Sequence, residues 1–354
     1  GEGPAMIVRE LHHVQKLYPE DVRRRILAYA GGHVAPPHSL AELDRDIAIS
    51  AAKTGEILLE ESGVKAKNVE AVGWSAASVA LEPPGQSNEL GASLELGSAA
   101  VVASRLNRPV VSDFASSDIA AGGLGGPVTA WCDWVLLGDE RLSRVTVHLG
   151  GIATVTFIPA DASAVDVVAF DVGPGTAVSD ELVHKFHHRL YDTDGSLAAG
   201  GRVVPPLLNE LLSNPYFQVP PPKRTVTAEW SQPYISQLLR MAKKHDSQTS
   251  DLITTITELT AQTVARAVAA FTERPHEVIL TGGGTMNIHL AGRIRKLLSP
   301  SSTYTVEKYG FGIRAKQAVC HAILAAARID AICAHCPRAT GAKRTVVLGA
   351  VTLP

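Results

Sequence analysis

Apolar positions recur at two different spacings along this chain, and the change from one to the other marks out its elements. Residues 17 to 61 carry an apolar stripe at helical period, and "SLAELDRDIAISAAKTGEILLEESG" adds a capping box in Ser39 and Glu42 and a terminating Gly63. The pattern predicts helix throughout. Beyond it, "VEAVGWSAASVAL" and "NRPVVSDF" read as short buried strands with a helical "GSAAVVASRLN" between them, an order that favours a parallel sheet. In "VTVHLGGIATVTFIP" two apolar runs flank Gly150 and Gly151, the mark of a hairpin, and "DVVAFDVG" supplies a third strand, so a second sheet begins here. A long amphipathic helix from Ser250 to about Glu273 precedes the strand "EVILT", the turn "GGGTMN" and a renewed helical period in "IHLAGRIRKLL". The proline-dense "NPYFQVPPPKRT", Asn214 to Thr225, reads as a stiff surface excursion.

Length and charge narrow the class. At 354 residues the chain exceeds the roughly 250–300 that one core covers, so two domains are expected. With 33 Lys plus Arg against 35 Asp plus Glu there is no global electrostatic case for nucleic acid or an anionic membrane. Small polar substrates fit better. No run reaches the ~20 apolar residues of a spanning helix, and "GEGPAMIVREL" lacks the regions of a secretion signal, which together give a cytoplasmic expectation. The four cysteines do not form a disulfide framework; Cys333 and Cys336 make a CxxC around His335, but no second pair stands at zinc spacing, so this reads as a loop with two thiols.

Three glycine turns then stand at strand ends: Gly150 to Gly151, Gly173 to Gly175 after Asp171, and Gly282 to Gly284. Each alone is ordinary turn chemistry. Together they suggest backbone laid open for phosphate, because glycine removes the Cβ that would hold an anion away from N–H groups, and "GGGTMN" leads towards a helix whose N-terminal end favours negative charge. Neither a Walker loop nor GxGxxG is present, so the phosphate class stays open on motifs alone. In "SDFASSDIAAGG" Asp113 and Asp118 surround a loop after a buried strand. Asp118 reads either as a general base, if held dry and oriented, or as a helix N-cap.

"SDFASSDIAAGGLGGPV", "HLGGIATVTFI", "FDVGPGTAVSD", "YDTDGSLAAGGRV", "NPYFQVPPPKRT" and "LTGGGTMN", in this order, resemble the anhydro-N-acetylmuramic acid kinases and the levoglucosan kinases. The resemblance runs from about Leu11 to the end. It implies an α/β, two-domain actin-like ATPase fold, ribonuclease-H-like, with an interdomain cleft; residues 1–117 with 336–354 would form one domain and 118–335 the other. It implies Asp118 as the base that activates water against the anomeric carbon of a 1,6-anhydro sugar while O6 takes the γ-phosphate of ATP. Gly150 and Gly151 would hold phosphate, Gly282, Gly283, Gly284 and Asn287 the nucleotide, and Asp171 with Gly173 and Gly175 would lie near phosphate and Mg²⁺. No residue is assigned as a dedicated metal ligand. Asp113, Trp74, Ser75 and Gln317 would face the sugar, Trp74 and Ser75 standing where the family has Gly-Gln-Thr and Gln317 where it has a second carboxylate. The family's first hairpin, with its phosphate loop, has no counterpart in residues 1–20. A homodimer is implied.

Three readings follow: an ATP-dependent anhydro-sugar kinase, a family member impaired in catalysis that binds sugar, nucleotide or a protein, and an ATP-independent sugar hydrolase, for which one carboxylate is thin equipment. His184, His187 and His188 read as solvent-facing helix residues, Trp131 and Trp134 as helix packing, and Tyr191, Asp192 and Asp194 as a turn. Lys223 reads either as a lysine that meets a phosphate or as a solvated loop lysine.

Overall fold

The computed structural model describes residues 6–84, 89–272 and 275–354. The chain forms two compact units, Gly1–Leu136 with Gln317–Pro354, and Leu137–Lys316.

The first unit opens with α1 (Glu20–Ala30) and α2 (Pro37–Ser62). The helical period over 17–61 therefore belongs to two helices, because Gly31, Gly32 and the Pro36–Pro37 pair interrupt the backbone ladder between them. The capping box does not form: Pro36 is the N-cap, no side chain caps it, and Ser39 lies inside the first turn. Gly63 does close α2, at φ 68°. Next come β1 (Val72–Gly73), β2 (Ala77–Glu82), β3 (Ala92–Leu96), α3 (Ala99–Leu106), β4 (Val110–Ser112), α4 (Phe114–Ala120) and α5 (Ala130–Leu137). "VEAVGWSAASVAL" is thus not one strand: β1 pairs in parallel with β4, whereas β2 pairs antiparallel with β3 in a separate ribbon.

The second unit continues with β5 (Arg144–Leu149), β6 (Ile152–Ile158), β7 (Val168–Pro174), α6 (Ala177–His187), α7 (Ser196–Ala199), α8 (Pro205–Leu212), α9 (Gln232–Lys244), α10 (Thr249–Phe271), β8 (Glu277–Thr281), α11 (Ile288–Leu297) and β9 (Ser302–Thr305). Glu273, the expected end of the long helix, lies outside the described residues. The sheet order is β7-β6-β5-β8-β9, with β5, β6 and β7 antiparallel neighbours and β5, β8 and β9 parallel. α10 joins two cores. Its first half packs Leu252, Ile253, Ile256 and Leu259 among the helices, and its second half lays Ala261, Val264 and Val268 beside Val145, Phe170 and Leu280 of the sheet. Its buried threonines are satisfied locally, as where Thr255 and Thr257 donate to the carbonyls of Asp251 and Ile253 at 2.7 and 2.9 Å.

The chain then returns to the first unit through α12 (Lys316–Ile329), α13 (Pro337–Thr340) and β10 (Ala350–Thr352), which pairs antiparallel with β4. The units divide at 136/137 and 316/317, so 118–136 and 317–335 belong with the first unit and not with the second as the sequence suggested. Hydrogen bonds give the reason: Leu124 N–H donates to Thr340 O, Lys343 N–H to Ala121 O, and Cys132 Sγ to Cys320 O.

At the amino ends of β5 and β8, Glu277 accepts from Arg144 Nε and from the Tyr309 hydroxyl, each at 2.6 Å, and from Lys308. Burial works to raise its pKa, but these three bonds prevail and bring it to about 2. A depressed carboxylate contributes stability above its unfolded pKa, near 4.5, and loses it as pH falls towards about 2. Glu277→Gln is expected to cost about 2 kcal/mol at neutral pH, with the difference from wild type shrinking between those two values. Urea unfolding as a function of pH measures it.

Candidate nucleotide and acid–base site

Because β5 and β8 are parallel, both deliver their carboxyl ends, Leu149 and Thr281, to one edge of the sheet, where β6 begins and β7 ends. All three glycine turns of the second unit therefore meet there, on the side of an α/β sheet where ligands bind. Most of these glycines make room for protein. A Cβ on Gly175 would stand 2.2 Å from Gly150 O, one on Gly282 2.6 Å from Leu149 O, one on Gly284 2.8 Å from Thr176 Cγ2, and one on Gly173 2.7 Å from the Phe217 ring. The tip carbonyls of the hairpin are also committed: Gly150 O accepts from Thr176 N–H at 2.9 Å, and Gly151 O from Gly175 and Ala177 N–H at 2.8 and 3.2 Å. Gly150 itself would place a Cβ 2.9 Å from His148 Nε2.

Two turn glycines differ. Gly283 is exposed with no atom within 4 Å of an added Cβ, and Gly151 is exposed with Thr227 Oγ1, at 3.5 Å, as its closest neighbour. The backbone open to an anion thus narrows to these two. Asn287 does not stand free for nucleotide as expected; it is the N-cap of α11, its side chain accepting from Leu290 N–H at 2.9 Å, and a 3₁₀ turn over Gly283–Met286 separates the glycines from that helix.

Asp171 is also turned inward. Its Oδ1 accepts from Thr154 Oγ1 at 2.7 Å and its Oδ2 from Thr225 N–H at 3.2 Å, while burial raises its pKa. The segment 214–225 runs along the surface at Gln218, Val219, Pro220 and Pro222, which are exposed, but it also sends side chains inward: Tyr216 OH donates to Asp171 O at 2.7 Å, Phe217 fills the space beside Gly173, and Thr225 is buried. Lys223 is neither solvated nor directed outward. Its Nζ donates to Tyr216 O at 3.1 Å and lies 4.6 Å from the Tyr216 ring centroid, and desolvation lowers its pKa. Among the described residues no cluster of three or more His, Cys, Asp or Glu could hold a metal. Both Asp171 oxygens are engaged by protein donors.

In the first unit the two aspartates exchange the roles that capping rules suggest. Asp113, at φ 53°, is the N-cap of α4 and accepts from Ser116 N–H at 3.2 Å, so the carboxylate expected to face sugar is bound to its own helix. Asp118 caps nothing. It is fully buried, its Oδ2 accepting from Gly125 N–H and its Oδ1 from His335 Nε2, both at 2.6 Å. Gly123 is glycine for the same reason, since a Cβ there would stand 2.2 Å from Asp118 Oδ2. His335 is the residue that sequence reasoning missed. It is 217 positions from Asp118, and its only local signal was its place between Cys333 and Cys336. Both cysteines are free thiols, Cys336 buried and Cys333 exposed.

Trp74 bridges two core clusters, against Leu43 and Ile47 on one side and Val102 and Leu106 on the other, and donates Nε1–H to Gly97 O at 3.2 Å, so it serves packing. Ser75 and Gln317 are exposed. His184, His187 and His188 are exposed, Trp131 is buried beside Trp134, and Asp192 accepts from Leu197 and Ala198 N–H at 2.9 Å as turn chemistry requires. Among the described residues no helix is long and apolar enough to cross a membrane.

The β7-β6-β5-β8-β9 order, a three-strand meander extended by two parallel strands, puts the second unit in the ribonuclease-H-like class of α/β folds. The family model for anhydro-N-acetylmuramic acid kinase matches residues 5–354, and the chain belongs to that family. Proteins named anhydro-N-acetylmuramic acid kinase are similar to it across nearly their whole length: one from Gloeobacter violaceus is 34% identical over 336 residues, covering 94% of this chain and 88% of that one. One from Caldanaerobacter subterraneus is 32% identical over 345 residues, covering 95% and 87%. Among solved structures, the activator of 2-hydroxyisocaproyl-CoA dehydratase from Clostridium difficile, with bound ADPNP, has a TM-score of 0.43 at 13% identity and covers 77% of this chain and 80% of that one.

Proposed function

We propose that this chain is an ATP-dependent kinase that hydrolytically opens a 1,6-anhydro sugar of the anhydro-N-acetylmuramic acid or levoglucosan type and phosphorylates it. What carries the reading is the family match over residues 5–354, to which the gathered glycine turns add a chemical rationale. Gly151 and Gly283 present backbone to the phosphates of ATP, the phosphate donor. Asp118 is the general base: each carboxylate oxygen has two lone pairs, so the bonds from Gly125 and His335 leave one on each for a water proton. That water bonds to the anomeric carbon, the bond from this carbon to O6 breaks, and O6 takes the γ-phosphoryl group as ADP departs. Mg²⁺ would come with the phosphates of ATP and would supply charge neutralisation for the phosphoryl transfer.

The test supplies ATP, Mg²⁺ and a panel of 1,6-anhydro sugars to the protein. ADP is expected only when both ATP and an accepted sugar are present, with a sugar 6-phosphate as product. The capture of both Asp118 oxygens within its own unit, together with Gln317 in place of a carboxylate, favours a second reading, a member that binds without turnover. Micromolar ATP binding with no ADP from any sugar would establish that reading and remove the first.

A further inference from the structure

We propose that His335 is the positioning residue for Asp118, fixing the plane of its carboxylate; this rests on the kinase reading above. His335 is 1% exposed and its Nε2 lies 2.6 Å from Asp118 Oδ1 and 3.2 Å from Thr340 Oγ1. Its Nδ1 is buried and meets no partner. That asymmetry assigns the tautomer. A proton on Nδ1 would be a buried donor with nothing to bond, costlier than an unpaired acceptor, so the proton sits on Nε2, which donates it to Asp118.

The surroundings fix the ring. α13 begins two residues on, Thr340 Oγ1 accepts from Ala342 N–H at 3.3 Å, and His335 N–H donates to Cys333 O at 2.9 Å. With Gly125 N–H on Oδ2, the carboxylate is clamped from two chain segments and cannot rotate about its Cβ–Cγ bond without breaking both bonds. A base so held keeps the directions of its remaining lone pairs fixed, which is the preorganisation that general-base catalysis rewards.

The test compares wild type with His335→Gln, His335→Asn and His335→Ala. Glutamine carries an N–H on its terminal nitrogen, at the reach of histidine Nε2; asparagine offers its N–H only at the reach of Nδ1. His335→Ala is expected to lower kcat about 100-fold with KM for ATP changed less than about twofold, His335→Asn to resemble it, and His335→Gln to recover kcat to within about fivefold of wild type. A structural role alone would move melting temperature and KM with kcat and would show no difference between Gln and Asn; that result, or an alanine variant as active as wild type, overturns the proposal while the kinase reading stands. No ADP from wild type overturns the kinase reading and the catalytic role of His335 with it. The bond is read separately by the ¹⁵N signals of His335, expected as the Nε2–H tautomer; the Nδ1–H tautomer overturns the proposal at its base.

Discussion

Asp118→Asn is expected to reduce kcat about 10³-fold while leaving ATP affinity unchanged. The first half follows from charge, since an amide offers no lone pair basic enough to take a water proton. The second follows from place, because the glycines proposed for the phosphates, Gly151 and Gly283, stand in the other compact unit. The substitution also has a structural cost that can be reasoned out. With its carbonyl oxygen kept on Gly125 N–H, the new amide nitrogen would face His335 Nε2, two donors nose to nose. His335 must then move its proton to Nδ1, where no acceptor waits, and an unpaired buried donor costs about 1–3 kcal/mol. The variant should therefore melt lower yet remain folded at assay temperature. Steady-state kinetics, ATP titration and a melting curve on one preparation separate these effects: a variant with kcat near wild type ends the role of Asp118 as base, whereas a loss of ATP affinity in step with kcat would point to general collapse.

How far the sequence foretold this molecule depended on the range of the forces involved. The hairpin at Gly150, the third strand ending at Pro174 and the strand-turn-helix after Glu277 were legible because alternation and glycine turns act over a few residues. The helix over 17–61 misled in part, since an apolar stripe continues in phase across a short break and only Gly31, Gly32, Pro36 and Pro37 record it. Capping was left open at Asp118 and not considered at Asp113, where the structure puts it, with a left-handed backbone that no local residue pattern announces. Long-range contacts were out of reach. Nothing near Lys223 announces that it lies buried under Tyr216, nothing near Gly173 that its missing Cβ is filled by Phe217, and nothing near Asp118 that a histidine from beyond the second unit will bind it.

Gly175→Ala and Gly283→Ala should have opposite consequences, although both residues belong to turns at the same end of one sheet. At 175 the new methyl carbon would lie 2.2 Å from Gly150 O and 3.0 Å from Ala153 N, both backbone atoms. Relief requires the hairpin tip to move, and the tip is held by the bonds from Gly175, Thr176 and Ala177 N–H to its two carbonyls. Overpacking against backbone that cannot yield costs about 3 kcal/mol or more, which for a unit of this size lowers the melting temperature by roughly 6–12 °C. At 283 no atom lies within 4 Å and φ is not left-handed, so the methyl meets neither a clash nor strain, and stability should change by less than about 0.5 kcal/mol. The same methyl would stand between the open backbone and an arriving phosphate, and ATP affinity should fall about tenfold, or ~1.4 kcal/mol. Differential scanning calorimetry and isothermal titration of the two variants measure both quantities. A Gly283→Ala protein that binds ATP as tightly as wild type would place the phosphates away from this loop, and a Gly175→Ala protein of unchanged melting temperature would mean that the hairpin tip is free to shift.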